Sequence, residues 1–183
     1  MLYSVIIPAY NEAEFLPRTL RYLRKAIQTI DIKYEVIVVD NNSQDNTSQI
    51  AEEYGAAVFF EKINRISRAR NRGVEHAAGK YLIFFDADTI IKPETLKRAL
   101  KNLAASCYGG GALVDFDKPI PGYAQKLARF WNFISLKYNL AAGSFLYCLL
   151  EIALQILILT LFPPATRFRL LCSSWYRRPK KQD

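Results

Sequence analysis

"YLIFFDADTI", residues 81–90, sets five apolar residues in an unbroken run and closes them with two carboxylates one residue apart. A run that is apolar at every position lacks the alternation of a half-solvated strand. It fits a strand covered on both faces, the habit of parallel sheets. "VIVV" at 36–39, closed by Asp40, repeats the pattern, and "LYSVIIP" (2–8) and "AAVFF" (56–60) are related runs.

Amphipathic stretches separate these runs. "EAEFLPRTLRYLRKAIQ" (12–28) carries Phe15, Leu16, Leu20, Leu23 and Ile27 at helical spacing. Further helices are expected from about Asp45 to Tyr54, from about Ser67 to Ala78, and from "KPETLKRAL" (92–100), where Pro93 suits a first turn. "YGGGALVDF" (108–116) reads as a fifth strand whose three glycines allow a bend or a close backbone approach. Strands alternating with helices imply right-handed crossovers and an α/β fold on a mainly parallel sheet. In such a sheet ligands collect beyond the carboxyl ends of the strands. That rule selects "PAYNE" (8–12), "DNNSQDNT" (40–47) and "DADT" (86–89).

The bulk properties narrow the classes. A chain of 183 residues with 51% hydrophobic and 23% charged residues suits one globular domain with a core of its own. Cys107, Cys148 and Cys172 are an odd, widely spaced set, which argues against a disulfide framework or a zinc site and for a reducing cytosol. The N-terminus shows no secretory signal pattern. The net charge of +8 is concentrated at one end: residues 163–183 hold six basic residues and one acid. A basic tail behind an apolar segment is more typical of a membrane-proximal end than of a groove for nucleic acid, and no nucleic-acid partner is expected. A charge-driven polyanion binder is a third reading, after the two developed below. It predicts steep salt dependence resting on residues 167–181.

At the strand ends the residues have two uses each. Asp86 and Asp88 have a spacing suited to a hard divalent cation that also binds a diphosphate, and equally to an Asx-turn ahead of a helix. Asp40 is placed to accept hydrogen bonds from a base or ribose edge, or to cap the helix near Asp45. Asn11 and Glu12 either start a helix or line a pocket. In "NRISRARNRG" (64–73), Arg65, Arg68 and Arg72 share a helical face and Arg70 points elsewhere. Arg65 and Arg68, at the helix start, are best placed for a diphosphate, and the alternative is a solvated basic face. His76, the single histidine, reads as structural. The chain has no G-x-G-x-x-G after its first strand, no P-loop and no G-x-S-x-G elbow, which disfavours dehydrogenases, P-loop NTPases and serine hydrolases.

Taken in order, "SVIIPAYNEAEFL", "VIVVDNNSQDNT", "SRARNRG" and "YLIFFDADT" resemble family 2 glycosyltransferases of the Rossmann-like GT-A fold, over residues 3–117 and more weakly to "AAGSFLYC" (141–148). The resemblance implies transfer of a sugar from a nucleotide-diphospho-sugar, such as a UDP- or GDP-sugar, to a hydroxyl of a saccharide or lipid acceptor, with inversion and a Mn2+ or Mg2+ cofactor. It makes Asp40 the contact to the base, Asp86 the acid near ribose and metal, and Asp88 the direct metal ligand. Pro8, Tyr10 and Glu12 line its nucleotide pocket.

The family's catalytic base follows a Gly-Gly-Phe-Asp-like turn after the segment resembling "AAGSFLYC". Here the pattern stops: beyond Glu151 no acid occurs until Asp183, so the expected base and the acceptor-binding half are missing, the C-terminal half is incomplete, and Glu151 is only a fallback candidate. The reading therefore divides the chain into a nucleotide-sugar-binding domain, 1–143, and an apolar helix with a basic tail, 144–183. "FLYCLLEIALQILILTLF" (145–162) suits a bilayer anchor, an interfacial helix or a core helix, and an out-of-frame ending after about codon 148 is the competing explanation. The expected location is cytoplasmic, at a membrane face if the tail attaches there. The second functional class is a non-catalytic nucleotide-binding or membrane-associated fragment.

Overall fold

The computed structural model describes residues 2–105, 107–113, 121–138 and 144–159. Residues 160–183, which include Cys172 and the basic tail, lie outside them, as do 114–116 of the fifth apolar run and 141–143 of the "AAGSFLYC" segment.

The chain runs β1 (Leu2–Ala9), α1 (Leu16–Ile27), β2 (Lys33–Asp40), α2 (Thr47–Glu53), β3 (Ala57–Phe60), α3 (Ile66–His76), β4 (Tyr81–Phe85), α4 (Pro93–Ala104), β5 (Gly109–Gly111), α5 (Gly122–Tyr138), β6 (Phe145–Leu149) and α6 (Leu150–Leu159). The strands form one sheet in the order β3-β2-β1-β4-β6-β5. β1 to β4 are mutually parallel and β6 alone runs against them, so the expectation of a mainly parallel α/β sheet holds.

Each strand sends alternate residues to opposite faces. Tyr3, Val5, Ile7 and Ala9 of β1, with Val38, Ile83 and Phe85, pack under α1, α2 and α4. Ile6, Ile37, Val39, Leu82 and Phe84 meet Ala69 and Val74 of α3 on the other side. Both faces are covered, which is why the strands are apolar without alternation.

Two glycine-dependent approaches set the layers. A Cβ on Gly73 would stand 2.3 Å from Cγ2 of Ile6, so the glycine of "SRARNRG" lets α3 lie down on β1. Gly109 and Gly110 pass Tyr147 so closely that a Cβ would lie 2.7 Å from its carbonyl oxygen and 2.5 Å from its hydroxyl. Of the two uses open to those glycines, close approach is the one seen. The strand they form is only three residues long.

One expectation is corrected. Residues 145–149 are not the start of an apolar helix but a strand, β6, inserted between β4 and β5. A five-residue apolar run is equally a buried strand or a helix segment by periodicity, and here the open edge of β4 decides between them. The sheet therefore continues past the boundary drawn at residue 143.

Candidate active site at the carboxyl ends of the strands

The first two loops beyond the sheet are stitched together. Asn11 and Asn42 both adopt left-handed backbone, with φ of 54° and 69°, which asparagine tolerates better than most residues. The Asn11 amide donates to Ser43 Oγ (3.0 Å), and the Gln44 amide donates back to Asn11 Oδ1 (2.8 Å). The Glu12 and Ala13 amides donate to Thr47 Oγ1 (2.8 Å) and Asp45 Oδ2 (3.1 Å). These bonds hold Tyr10, exposed, and Glu12, half-buried, on the rim beside β2. Pro8 is buried within β1, which runs one residue past it.

Asp40 is buried at the end of β2. Its Oδ1 accepts the Ser43 amide (2.9 Å) and its Oδ2 the Ser48 hydroxyl (2.5 Å). The local turn is thus real, yet each carboxylate oxygen retains a second acceptor position for a ligand donor.

At the end of β4, Ala87 is buried in the core while Asp86 is half-buried and Asp88 exposed. With the Ala87 methyl in the core, Asp88 is left on the surface and Asp86 partly covered against Arg70. The Asp86 amide donates to Ser144 O (3.2 Å), and its carbonyl accepts the Thr89 amide (3.0 Å), which fixes the corner. Burial pushes the Asp86 carboxyl above its ordinary value, Arg70 pulls it back and Asp88 pushes it up again. Glu12 is raised too, first by burial and then by Asp88, Asp45 and Asp86. Acids contributed by β1, α2 and β4 loops therefore converge on one rim and repel each other.

The cation in that rim is Arg70, whose Nη2 donates to Asp86 Oδ1 (2.9 Å) while its buried Nε finds no partner among the described residues. Arg65 and Arg68, the arginines expected at the diphosphate, stand at the start of α3. Arg65 is exposed at the N-cap of α3, and Arg68 donates through Nε to Glu61 Oε1 (3.1 Å). Arg72 pairs with Glu75 (3.1 Å). The helical spacing separated Arg70 from its neighbours correctly; its side chain is the one that reaches Asp86, just beyond β4.

Glu61 was missed. It follows β3 as Asp40 follows β2, so the strand-end rule, applied to the third strand, finds it. It is buried, and the Ile63 amide (2.8 Å) with Arg68 holds its carboxyl below the ordinary value against the push of burial. Asn41, also buried, donates to the Glu61 and Ile63 carbonyls (3.2 and 2.7 Å) and so fastens the loop between β3 and α3.

Glu151 requires a correction. β6 descends from Phe145, opposite Phe85, to Leu149, opposite Tyr81. Four residue steps along a strand cover about 13 Å, so Glu151, exposed in the first turn of α6, belongs to the amino end of the parallel strands. It is not placed to act as a base at the Asp86 corner.

The family model described as Glycosyl transferase family 2 matches residues 4–148. The chain belongs to that family. AglE, a glycosyltransferase of Haloferax volcanii, is 34% identical over 143 residues, covering 73% of this chain and 45% of its own. TarS of S. aureus, solved in complex with UDP-GlcNAc, is 30% identical at a TM-score of 0.54, covering 66% of this chain and 37% of that one. Glucosyl-3-phosphoglycerate synthase from Mycobacterium tuberculosis, solved with Mn2+, UDP-glucose and phosphoglyceric acid, shares the fold at 18% identity and a TM-score of 0.58, covering 81% of this chain and 56% of that one. The family 2 chain described here thus spans less than half the length of AglE. The family match reaches through β6, in agreement with the strand's place in the sheet.

Proposed function

We propose that this family 2 chain binds a nucleotide-diphospho-sugar along the carboxyl ends of β1, β2 and β4, and that the sugar passes to a saccharide or lipid hydroxyl with inversion. The observation that carries the reading is the Asp86-Ala87-Asp88 corner, a half-buried and an exposed carboxylate one residue apart on a rim already crowded with acid. Its donor set suits a hard cation. Among the described residues no three or more His, Cys, Asp or Glu side chains are gathered as a metal cage, so the protein offers Asp88 and the free oxygen of Asp86, and phosphates and water would complete the shell. When bound, Mn2+ or Mg2+ there supplies charge neutralisation on the departing diphosphate. Asp40 takes the nucleobase with its remaining acceptor positions, and Pro8, Tyr10 and Glu12 form the wall beside it. Arg70 holds Asp86 in place and pulls its carboxyl back down against the push of burial. The solved complexes of TarS with UDP-GlcNAc and of the synthase with Mn2+ and UDP-glucose support donor and cation of these classes.

A second reading has its own observation. Of the described residues after β6, the one carboxylate, Glu151, lies at the far end of the sheet, so a donor-binding module without its own acceptor base is the competing account. Calorimetry with UDP and Mn2+, followed by donor-hydrolysis and transfer assays, separates them. Transfer supports the first reading, and tight donor binding with no turnover supports the second. Turnover that survives Asp88→Ala sinks the metal assignment.

Free Cys107 and Cys148 suit a reducing cytosol; burial pushes the Cys148 thiol up to about 12, so it is inert. Among the described residues no helix is long and apolar enough to cross a membrane.

A further inference from the structure

The connection between β5 and β6 leaves and returns at one place. Gly111 and Phe84 both pair with Leu146, and the Ser144 carbonyl accepts the Asp86 amide. Helix α5, carried by this connection, is therefore suspended from the same rim of the sheet as the Asp-Ala-Asp corner. No other described element packs broadly against it.

Its sequence, "GYAQKLARFWNFISLKY", carries an apolar stripe although no other described element packs broadly against the helix. Tyr123, Leu127, Phe130, Trp131 and Ile134 recur at i, i+4, i+7, i+8 and i+11, one continuous stripe. Tyr123, Leu127 and Phe130 are 77, 67 and 60% exposed, and Trp131 is 42% exposed. Lys126, Arg129 and Lys137 lie on the surface of the same helix, which contains no acid.

We propose that α5 docks on an anionic bilayer surface. The aromatic stripe enters the boundary between headgroups and acyl chains, with Lys126 and Arg129 at the headgroups, so that the donor site faces the membrane. Charge selects this occupant. Pairing α5 with itself in a second copy would set basic helix against basic helix across a two-fold axis. The chain's own tail, six basic residues to one acid over 163–183, is no better match. An anionic lipid surface complements both the cations and the stripe, and it is the surface from which an amphiphilic acceptor would be delivered. The docking does not depend on whether the chain completes a transfer.

The test uses the full chain with Trp175→Phe, so that Trp131 is the single fluorescent reporter, and vesicles of phosphatidylcholine with or without one-quarter phosphatidylglycerol. The expected result is a blue shift of Trp131 emission and quenching by brominated acyl chains with the mixed vesicles, weak or absent with the neutral ones. Lys126→Glu with Arg129→Glu should lower partitioning by about tenfold or more. Leu127→Ser with Phe130→Ser should abolish the shift while circular dichroism stays native, since both side chains are exposed. Replacing Arg177, Arg178, Lys180 and Lys181 by Gln should leave the shift in place. Equal partitioning of wild type and α5 variants, or loss of the Trp131 shift only in the tail variant, would overturn the proposal. So would a doubled mass by light scattering that Phe130→Ser reverses without any vesicle binding, because the stripe would then serve a second copy.

Discussion

Among individual residues, the side chains that look most like ligands are also the ones spending most on their own loops. Asp40 holds Ser43 and Ser48 before any nucleotide arrives, and Asp86 holds Arg70. Such bonds preorganise a carboxylate at little further cost on binding. Removing the cation exposes what it does: Arg70→Met leaves Asp86 half-buried without a partner, its carboxyl driven higher still. The expected cost in urea unfolding is about 1 kcal/mol, reduced from the value for a buried charged hydrogen bond because both groups are partly exposed. Arg70→Lys should recover part of that cost, since one bond from Nη2 to Asp86 is what the ammonium has to replace. Glu61 gives a pH prediction of opposite character. Its folded carboxyl lies below the ordinary 4.5, so its contribution is complete above that pH and lost as pH falls through the lower folded value. Glu61→Gln should therefore be less stable than wild type at pH 7, and the gap should close as unfolding is followed down from about pH 4.5. A constant gap across that range would contradict the role assigned to the Ile63 amide.

Elements were legible where one period ruled and illegible where two fitted. The uninterrupted apolar runs of β1, β2 and β4 have no helical alternative, because each is bounded within a few residues by turn chemistry and Asp or Pro. "FLYCL" had such an alternative: it flows without punctuation into the apolar α6, and only the unpaired edge of β4 makes it a strand. The place of Glu151 was illegible for the same reason, since it depends on the direction in which β6 runs. The arginine cluster was half legible. Spacing told which of its members share a face, but not which of them reaches Asp86. Gly73 shows how a motif residue can serve packing alone. Gly73→Ala drives a methyl into Ile6, and overpacking of this kind typically costs about 1–3 kcal/mol. The melting temperature should fall by about 2–4 °C for each kcal/mol. Gly122→Ala, with nothing within 4 Å of the new Cβ, should leave it unchanged or slightly higher. Equal effects at the two sites would mean that α3 does not rest on β1 as described.

Across the whole molecule, six strands and their two covers make one body in which β6, with β5 beyond it at the edge, shields β4 from solvent. A chain cut after residue 143 would leave β4 as an open, apolar edge, the setting in which sheets associate. It should aggregate, whereas a chain ending at residue 159 should remain monomeric by light scattering. Soluble, cooperatively folding 1–143 would restore the boundary that the sequence suggested.

AglE is about twice as long as the part matched here, and the central proposal concerns that part alone: a cation shared between the Asp86–Asp88 corner and a sugar nucleotide's phosphates. Crystals soaked with UDP and Mn2+ and measured for anomalous scattering address that directly. The account predicts one manganese peak within coordination distance of Asp88, bridged to the diphosphate and absent in Asp88→Ala crystals. Nucleotide bound with no manganese at that corner, or manganese held elsewhere, would contradict it.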